Sequence, residues 1–172
     1  ASTAAEAARL VQPIAGAQTW QQRAEGLDHE AIATVYAWAR GKRLDAPMLA
    51  LDEDPARPGL SAQFVFDRGQ LGGPTGLLAF VLSACADDRQ ALEAQVRAQA
   101  RAQLGLPALE LIKTVIERRA TFACTPGLQR PAMQVLPGDA SLLACGDYVQ
   151  GPYPATLEGA VRSGLAAAQA LG

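Results

Sequence analysis

The sequence predicts an α+β fold in which helices flank a mixed sheet. Three observations carry that reading. Between Asp28 and Trp38, Ile32, Thr34, Tyr36 and Trp38 share one face and Val35 the other, the two-residue period of a strand rich in β-branched and aromatic side chains. Leu77 to Leu82 is continuously apolar, as expected for a strand buried on both faces. Leu92, Val96, Ala100 and Leu104 recur every four residues until Gly105 and Pro107 stop the pattern, and a similar apolar period runs from Thr156 to Leu171, so both segments read as helices.

Taken in order, Thr3 to Ile14 has near-helical spacing after Ser2 or Thr3 as N-cap. A strand over 31–38 is followed by the polar turn Gly41-Lys42-Arg43, a short strand over 47–51 and the solvated acidic loop Asp52-Glu53-Asp54-Pro55. A strand over 62–67 turns through Gly69-Gln70-Leu71-Gly72-Gly73-Pro74 into the apolar strand over 76–84. Asp87 or Asp88 can cap the helix over 87–104, with Arg97 and Arg101 on its solvated face. A strand over 111–123 carries Glu117-Arg118-Arg119, so one of its faces meets solvent or a polar pocket. Pro126, Gly127, Pro131 and Pro137-Gly138 mark a loop, 141–145 a buried strand, and 156–171 a helix with Leu157, Val161, Leu165, Ala168 and Leu171 expected to point inward. No internal repeat occurs, so residues 1–172 read as a single compact fragment.

Composition narrows the function classes. A chain of 172 residues, 49% apolar and 19% charged, can bury a real core. Its net charge of −2 leaves no basic stripe for a phosphate backbone, which argues against nucleic acid as a partner. The longest apolar runs, such as Gly76 to Ala84, are far short of the ~20 residues of a membrane span. The start lacks the basic and apolar regions of a signal peptide, and its Ala-rich opening without Met suggests a piece of a longer protein. Cys85, Cys124 and Cys145 are widely spaced in apolar stretches and read as buried thiols rather than a disulfide framework; His29 is the only histidine, so no metal site is expected. The expected location is the cytoplasm, with a membrane-peripheral placement as the alternative.

No catalytic residue can be assigned: Ser163 has no base beside it, and His29 borders a strand. Tyr36, Phe64 and Phe66 either line an apolar substrate tunnel or are simply core, and Arg68 and Arg119 read as salt-bridge partners, with binding of a polar substrate end as the alternative.

The informative stretch is Leu142-Leu143-Ala144-Cys145-Gly146-Asp147-Tyr148 followed by Gly151-Pro152-Tyr153-Pro154-Ala155-Thr156-Leu157-Glu158-Gly159-Ala160-Val161-Arg162-Ser163-Gly164. A buried strand ends at a glycine and a carboxylate, and after a proline-braced loop a helix begins with small residues. Gly146 permits a close approach to the backbone, Asp147 can accept from sugar hydroxyls, and a helix start near Thr156 offers N–H groups and a positive dipole end. Ordinary turn chemistry explains the same residues: glycine for positive φ, aspartate as turn former, Thr156 as N-cap.

Residues 142–168 resemble the C-terminal FAD signature of the amine oxidase and phytoene desaturase superfamily: an apolar strand, Ala-Gly-Asp, a loop, then Pro-Ala-Ser/Thr-x-Glu-Gly-Ala-Val-x-Ser-Gly. The second half is complete here from Pro154 to Gly164, and Cys145 replaces the usual alanine. The resemblance implies FAD as cofactor, with Gly146, Asp147, Thr156, Leu157, Glu158 and Gly159 at its site. Asp147 would meet the ribityl or pyrophosphate part, backbone around Thr156 and Leu157 the isoalloxazine ring, and Glu158 would serve the helix start.

Within that superfamily the chain is most similar to the squalene-associated branch, the hydroxysqualene dehydroxylases of hopanoid biosynthesis, through Ile32-Ala33-Thr34-Val35-Tyr36, Phe66-Asp67-Arg68-Gly69-Gln70-Leu71 and Arg119-Ala120-Thr121-Phe122-Ala123-Cys124-Thr125-Pro126. This implies a substrate-binding part near 15–135, with Tyr36, Phe64 and Phe66 toward a long isoprenoid such as hydroxysqualene or a carotenoid precursor. It also implies a return to the FAD-binding domain near 136–172.

The Gly-x-Gly-x-x-Gly fingerprint that holds the ADP half of FAD is absent. The Rossmann part of the FAD-binding domain is therefore expected to be missing. The chain alone is expected to lack FAD and activity and to expose apolar surface that a homodimer could cover. A freestanding module binding an apolar ligand or a partner, derived from such an enzyme, is the alternative.

Overall fold

The computed structural model describes residues 2–56, 59–85 and 88–172. Its chain divides into two compact units, one formed by the residues up to His29 together with Phe122–Gly172, the other by Glu30–Thr121.

In the Glu30–Thr121 unit, strands β1 (His29–Trp38), β2 (Met48–Ala50), β3 (Phe64–Asp67), β4 (Leu77–Ser83) and β5 (Glu110–Phe122) form one sheet in the order β2-β3-β4-β1-β5. The β2–β3, β3–β4 and β4–β1 pairings are all antiparallel, so the α+β class holds while the expected mixed sheet is an antiparallel one. The connection from β3 to β4, residues 68–76, favours this, because a parallel neighbour needs a longer crossover. Register puts Val35 opposite Phe80 and Phe80 opposite Val65, all fully buried. With Ala33, Ala37, Leu78 and Leu82 they form the face covered by Leu92, Val96 and Ala100 of the helix Arg89–Leu104. Each large side chain buried there contributes roughly 1.5–3 kcal/mol.

That helix starts where Asp88 accepts the Gln90 and Ala91 N–H groups at 3.0 and 3.1 Å and stops at left-handed Gly105. Asp87, the other candidate cap, lies outside the described residues. Gln99 on the buried side accepts the Ala62 N–H at 2.8 Å and donates to the Asp52 and Ala62 carbonyls, tying the helix to the loop beside β3. Arg97, expected on a solvated face, donates to the Leu109 carbonyl at 2.5 Å. Asp67 is buried at the end of β3. Burial raises its pKa, but donors from Gln70, Leu44 and Gly69 outweigh that and hold the carboxyl below its usual value.

β4 is closed more fully on one face than on the other: Leu78, Phe80 and Leu82 are buried on the first, while on the second Ala79 is buried, Leu77 and Val81 are half-buried and Ser83 is exposed. Its alanine-79 rung, with Tyr36 and Phe66 beside Ala79, belongs to the more open face.

The other unit holds helices α1 (Ala4–Val11) and α2 (Gln18–Glu25), the hairpin of β6 (Gln134–Leu136) with β7 (Asp139–Leu143), and a last helix, Leu157–Leu171. In chain order the helix Arg89–Leu104 is α3 and this last one α4. Thr3 caps α1, as its sequence suggests. Ala4, Ala8, Val11, Trp20, Leu27, Phe122, Val135 and Tyr148 share one core. Trp20 donates its indole N–H to the Ala132 carbonyl at 2.7 Å and meets the Tyr148 ring edge-on, centroids 6.5 Å apart.

Two elements here escape the sequence reading. α2 buries only Trp20 and Ala24, too thin an apolar stripe to show a period. β6 sits inside the stretch read as loop, and it pairs with β7 in a hairpin turned by Pro137-Gly138, with Gly138 at φ 79°. The last strand thus spans 139–143 and belongs to this hairpin, not to the five-stranded sheet.

Among the described residues, no helix is long and apolar enough to cross a membrane, and no cluster of three His, Cys, Asp or Glu could hold a metal ion.

Candidate functional site

β7 runs out at Leu143, and the chain passes through Gly146 and Asp147 before the loop that leads to α4. Gly146 must be glycine because a Cβ would overlap the ring of Tyr148, two residues on. The close approach anticipated at this glycine is thus made by the protein's own aromatic ring. Tyr148 is buried, which pushes its phenol pKa up, with a hydrogen bond from Ser2 acting the other way.

The loop crosses the first turn of α4 just as tightly. A Cβ on Gly159 would collide with the Tyr153 carbonyl oxygen. Thr156 organises the crossing: its hydroxyl donates to the Tyr153 carbonyl at 2.7 Å and accepts the Gly159 N–H at 3.0 Å. Tyr153 and Ala155 both adopt left-handed backbone at φ 57°, a conformation that costs non-glycine residues energy and that tends to occur where a segment has functional geometry to keep. The Arg162 guanidinium lies 5.0 Å from the centre of the Tyr153 ring and pairs with Glu158 at 2.5 Å, so Glu158 acts within the helix start.

The consequence is an anion-friendly corner. With the Gly159 N–H on the Thr156 hydroxyl and the Ala160 N–H on the Thr156 carbonyl, the Leu157 and Glu158 N–H groups are the donors left at the positive end of α4 among the described residues. Asp147 reaches the same loop through its carbonyl, which accepts the Ala155 N–H at 3.4 Å. Its half-buried carboxylate makes no hydrogen bond or ion pair among the described residues. The carboxylate can accept from ligand hydroxyls, and the two N–H groups can donate to an electron-rich edge.

α4 itself faces the opposite way from the expected one. Leu157 is 88% exposed, Val161, Leu165 and Leu171 about as open as surface residues, and Ala168 is exposed too. The buried line is instead Gly159 and Ala167, with half-buried Ser163 between them, spaced four residues apart. Small residues allow a close approach to the chain around Gly146, and this outweighs the burial of large ones. Beside that line a groove of about 510 Å³ opens between α4 and residues 149–152, with Met133, Val149, Ser163 and Leu165 in its walls.

Ser163, which has no base beside it, lies at the centre of this packing. Its hydroxyl accepts the Gly146 N–H at 2.9 Å and lies 3.0 Å from the Gly146 carbonyl and 2.8 Å from that of Ala160. A helical serine on a line of small residues facing a Gly-Asp step was the signal available for it.

In the other unit, the three aromatic candidates do share a surface. Tyr36 and Phe66 flank Ala79, and Phe64 lies opposite Val81 on the same face of the sheet, away from α3. Tyr36 and Phe66 are half-buried and Phe64 is 39% exposed, so they are not closed core. Met48, opposite Phe66, extends the apolar strip at 49% exposure.

Cys124 is exposed and Cys85 and Cys145 half-buried, so none is the fully buried thiol expected. Arg68 and Arg119 form no ion pair among the described residues, where the ion pairs join Arg9 to Glu6, Arg40 to Glu110 and Arg162 to Glu158. His29 is half-buried at the first position of β1.

No curated protein matches this chain. The sequence profile of the family described as flavin containing amine oxidoreductase matches residues 1–172, its whole length. The chain therefore belongs to the flavin containing amine oxidoreductase family.

Proposed function

We propose that this chain supplies one wall of the FAD site, and an apolar wall of the substrate site, in a flavin-dependent oxidoreductase acting on a long isoprenoid such as hydroxysqualene or a carotenoid precursor. The observation that carries the proposal is that the Asp147 main chain is bonded to the loop leading into the capped start of α4, while its carboxylate and the Leu157 and Glu158 N–H groups make no hydrogen bond among the described residues. Bound flavin would supply the hydride chemistry, while the protein supplies position and electrostatics. Asp147 would accept from flavin hydroxyls, and the Leu157 and Glu158 N–H groups would donate to its electron-rich edge. Thr156 and Gly159 keep those donors aimed by holding the loop against the helix.

The strip formed by Tyr36, Phe64 and Phe66 supports an apolar substrate, since it offers aromatic surface and no fixed charge among these three residues. Product analysis of the full-length enzyme with hydroxysqualene and with phytoene tests this. Loss of the allylic hydroxyl from the first, or new double bonds in the second, is the expected result. Turnover of a small polar amine with neither isoprenoid accepted would overturn the substrate assignment and leave the flavin site standing.

We assign the outward face of α4, with Leu157, Val161, Leu165 and Leu171, to contact with the part of the FAD-binding domain that carries the dinucleotide fingerprint. Without that part, a second copy of the chain is expected to cover it. Sedimentation of the 172-residue chain should then show dimers, or monomers that bind a hydrophobic dye. A monodisperse monomer that binds no dye contradicts the assignment.

The same open sheet face favours a second reading, a freestanding module that binds an apolar ligand. Retention of an isoprenoid by the flavin-free chain, together with a gene that encodes no Gly-x-Gly-x-x-Gly upstream, would favour it.

A further inference from the structure

We infer that Ser163 is a positioning residue of the flavin wall, whose hydroxyl locks the Gly146 peptide onto α4 so that Asp147 and the helix start are presented as one unit. The inference rests on the flavin reading above. A serine inside a helix usually returns its proton to a carbonyl three or four residues back, and Ser163 has that option at Ala160, 2.8 Å away. What is unusual is the rest of its surroundings. The Gly146 N–H donates to the same oxygen at 2.9 Å and the Gly146 carbonyl lies 3.0 Å from it, so both polar groups of this glycine address one hydroxyl. The oxygen has one proton to give and lone pairs to accept with, so it accepts from the Gly146 N–H while donating to one of the two carbonyls.

Gly146 has no freedom to compensate. The Tyr148 ring occupies the space a Cβ would take, and Tyr148 is fixed in turn by burial against Trp20. The other bond between the Asp147 region and the loop before α4, from the Ala155 N–H to the Asp147 carbonyl, is long at 3.4 Å. Ser163 is therefore the strongest tether from the strand end to the helix. It touches only backbone, and acts on the carboxylate of the next residue, Asp147, through the Gly146 peptide.

The test uses Ser163→Ala and Ser163→Val, which remove the hydroxyl, and Ser163→Thr, which keeps it. In the 172-residue chain, amide exchange at Gly146 should quicken about tenfold with alanine or valine and return toward the parent rate with threonine. In the full-length enzyme, the first two should weaken FAD binding by a similar factor and alter the flavin absorbance bands, with threonine restoring both. Unchanged exchange at Gly146 in Ser163→Ala would overturn the tether. Faster exchange with unchanged FAD affinity and spectrum, in a protein where Asp147→Ala does weaken FAD, would overturn the positioning role and leave the flavin site intact. An Asp147→Ala enzyme with undiminished FAD affinity would overturn the flavin reading and this inference together.

Discussion

Alanine at two glycines of α4 is expected to act in opposite directions. Gly159→Ala should destabilise the chain by about 1–3 kcal/mol, the usual cost of forcing atoms into a packed site. At roughly 2–4 °C per kcal/mol for a chain of this size, that is a readily measured fall in Tm. The added Cβ meets a backbone carbonyl, that of Tyr153, and cannot be relieved by rotating a side chain. The loop must lift, which costs the hydrogen bonds of Thr156 to Tyr153 and to Gly159. Gly164, five residues on, has open space where its Cβ would stand. Gly164→Ala should stabilise by roughly 0.5–1 kcal/mol, since alanine loses less backbone entropy in a helix. Thermal melts of the two variants beside the parent chain check the pair. Equal shifts, or a Gly159→Ala protein as stable as the parent, would show that the loop does not close over α4 as described.

These glycines also mark how far sequence reasoning reaches. Regular, strongly patterned elements were legible. The alternation of Ile32, Thr34, Tyr36 and Trp38 against Val35 is β1, and the four-residue stripe Leu92, Val96, Ala100 is the buried side of α3. Only the face of β1 needed the structure, because Ala33, Val35 and Ala37 are the side packed under α3 while the larger Tyr36 and Trp38 remain half-open.

The inward face of α4 is hidden from sequence for a physical reason. Large apolar residues are assigned inward by default, but a helix that must approach a backbone closely turns its small residues in, here Gly159, Ser163 and Ala167. The Gly-Asp step and the Thr156 cap were legible because they depend on local chemistry. The left-handed conformations of Tyr153 and Ala155 were not, since non-glycine residues adopt them rarely and nothing in the residue types announces them. Pro137-Gly138 read as a loop although it is the turn of a hairpin: the signal for the turn was right, but the short strand β6 before it is too brief to carry a period.

The largest functional effect is expected at Asp147. Its carboxylate is half-buried, has no protein donor among the described residues, and follows the glycine that Ser163 holds to α4. In the full-length enzyme it would accept charge-assisted hydrogen bonds from flavin hydroxyls, worth on the order of 1.5–3 kcal/mol. Asp147→Ala should therefore weaken FAD binding by roughly ten- to a hundredfold. Asp147→Asn should recover part of the loss, because an amide oxygen still accepts. The Glu30–Thr121 unit has its own core and should keep its fold in both variants.

The 172-residue chain should purify colourless, since it holds the wall around Asp147 and Thr156 without the fingerprint that grips the ADP half. The most direct test is the FAD dissociation constant of the full-length enzyme with Asp147 and with alanine in its place. A clear weakening in a folded protein is the result this account predicts. An unchanged constant would contradict it, and the Gly146-Asp147 step would then be a turn that serves the packing of α4 alone.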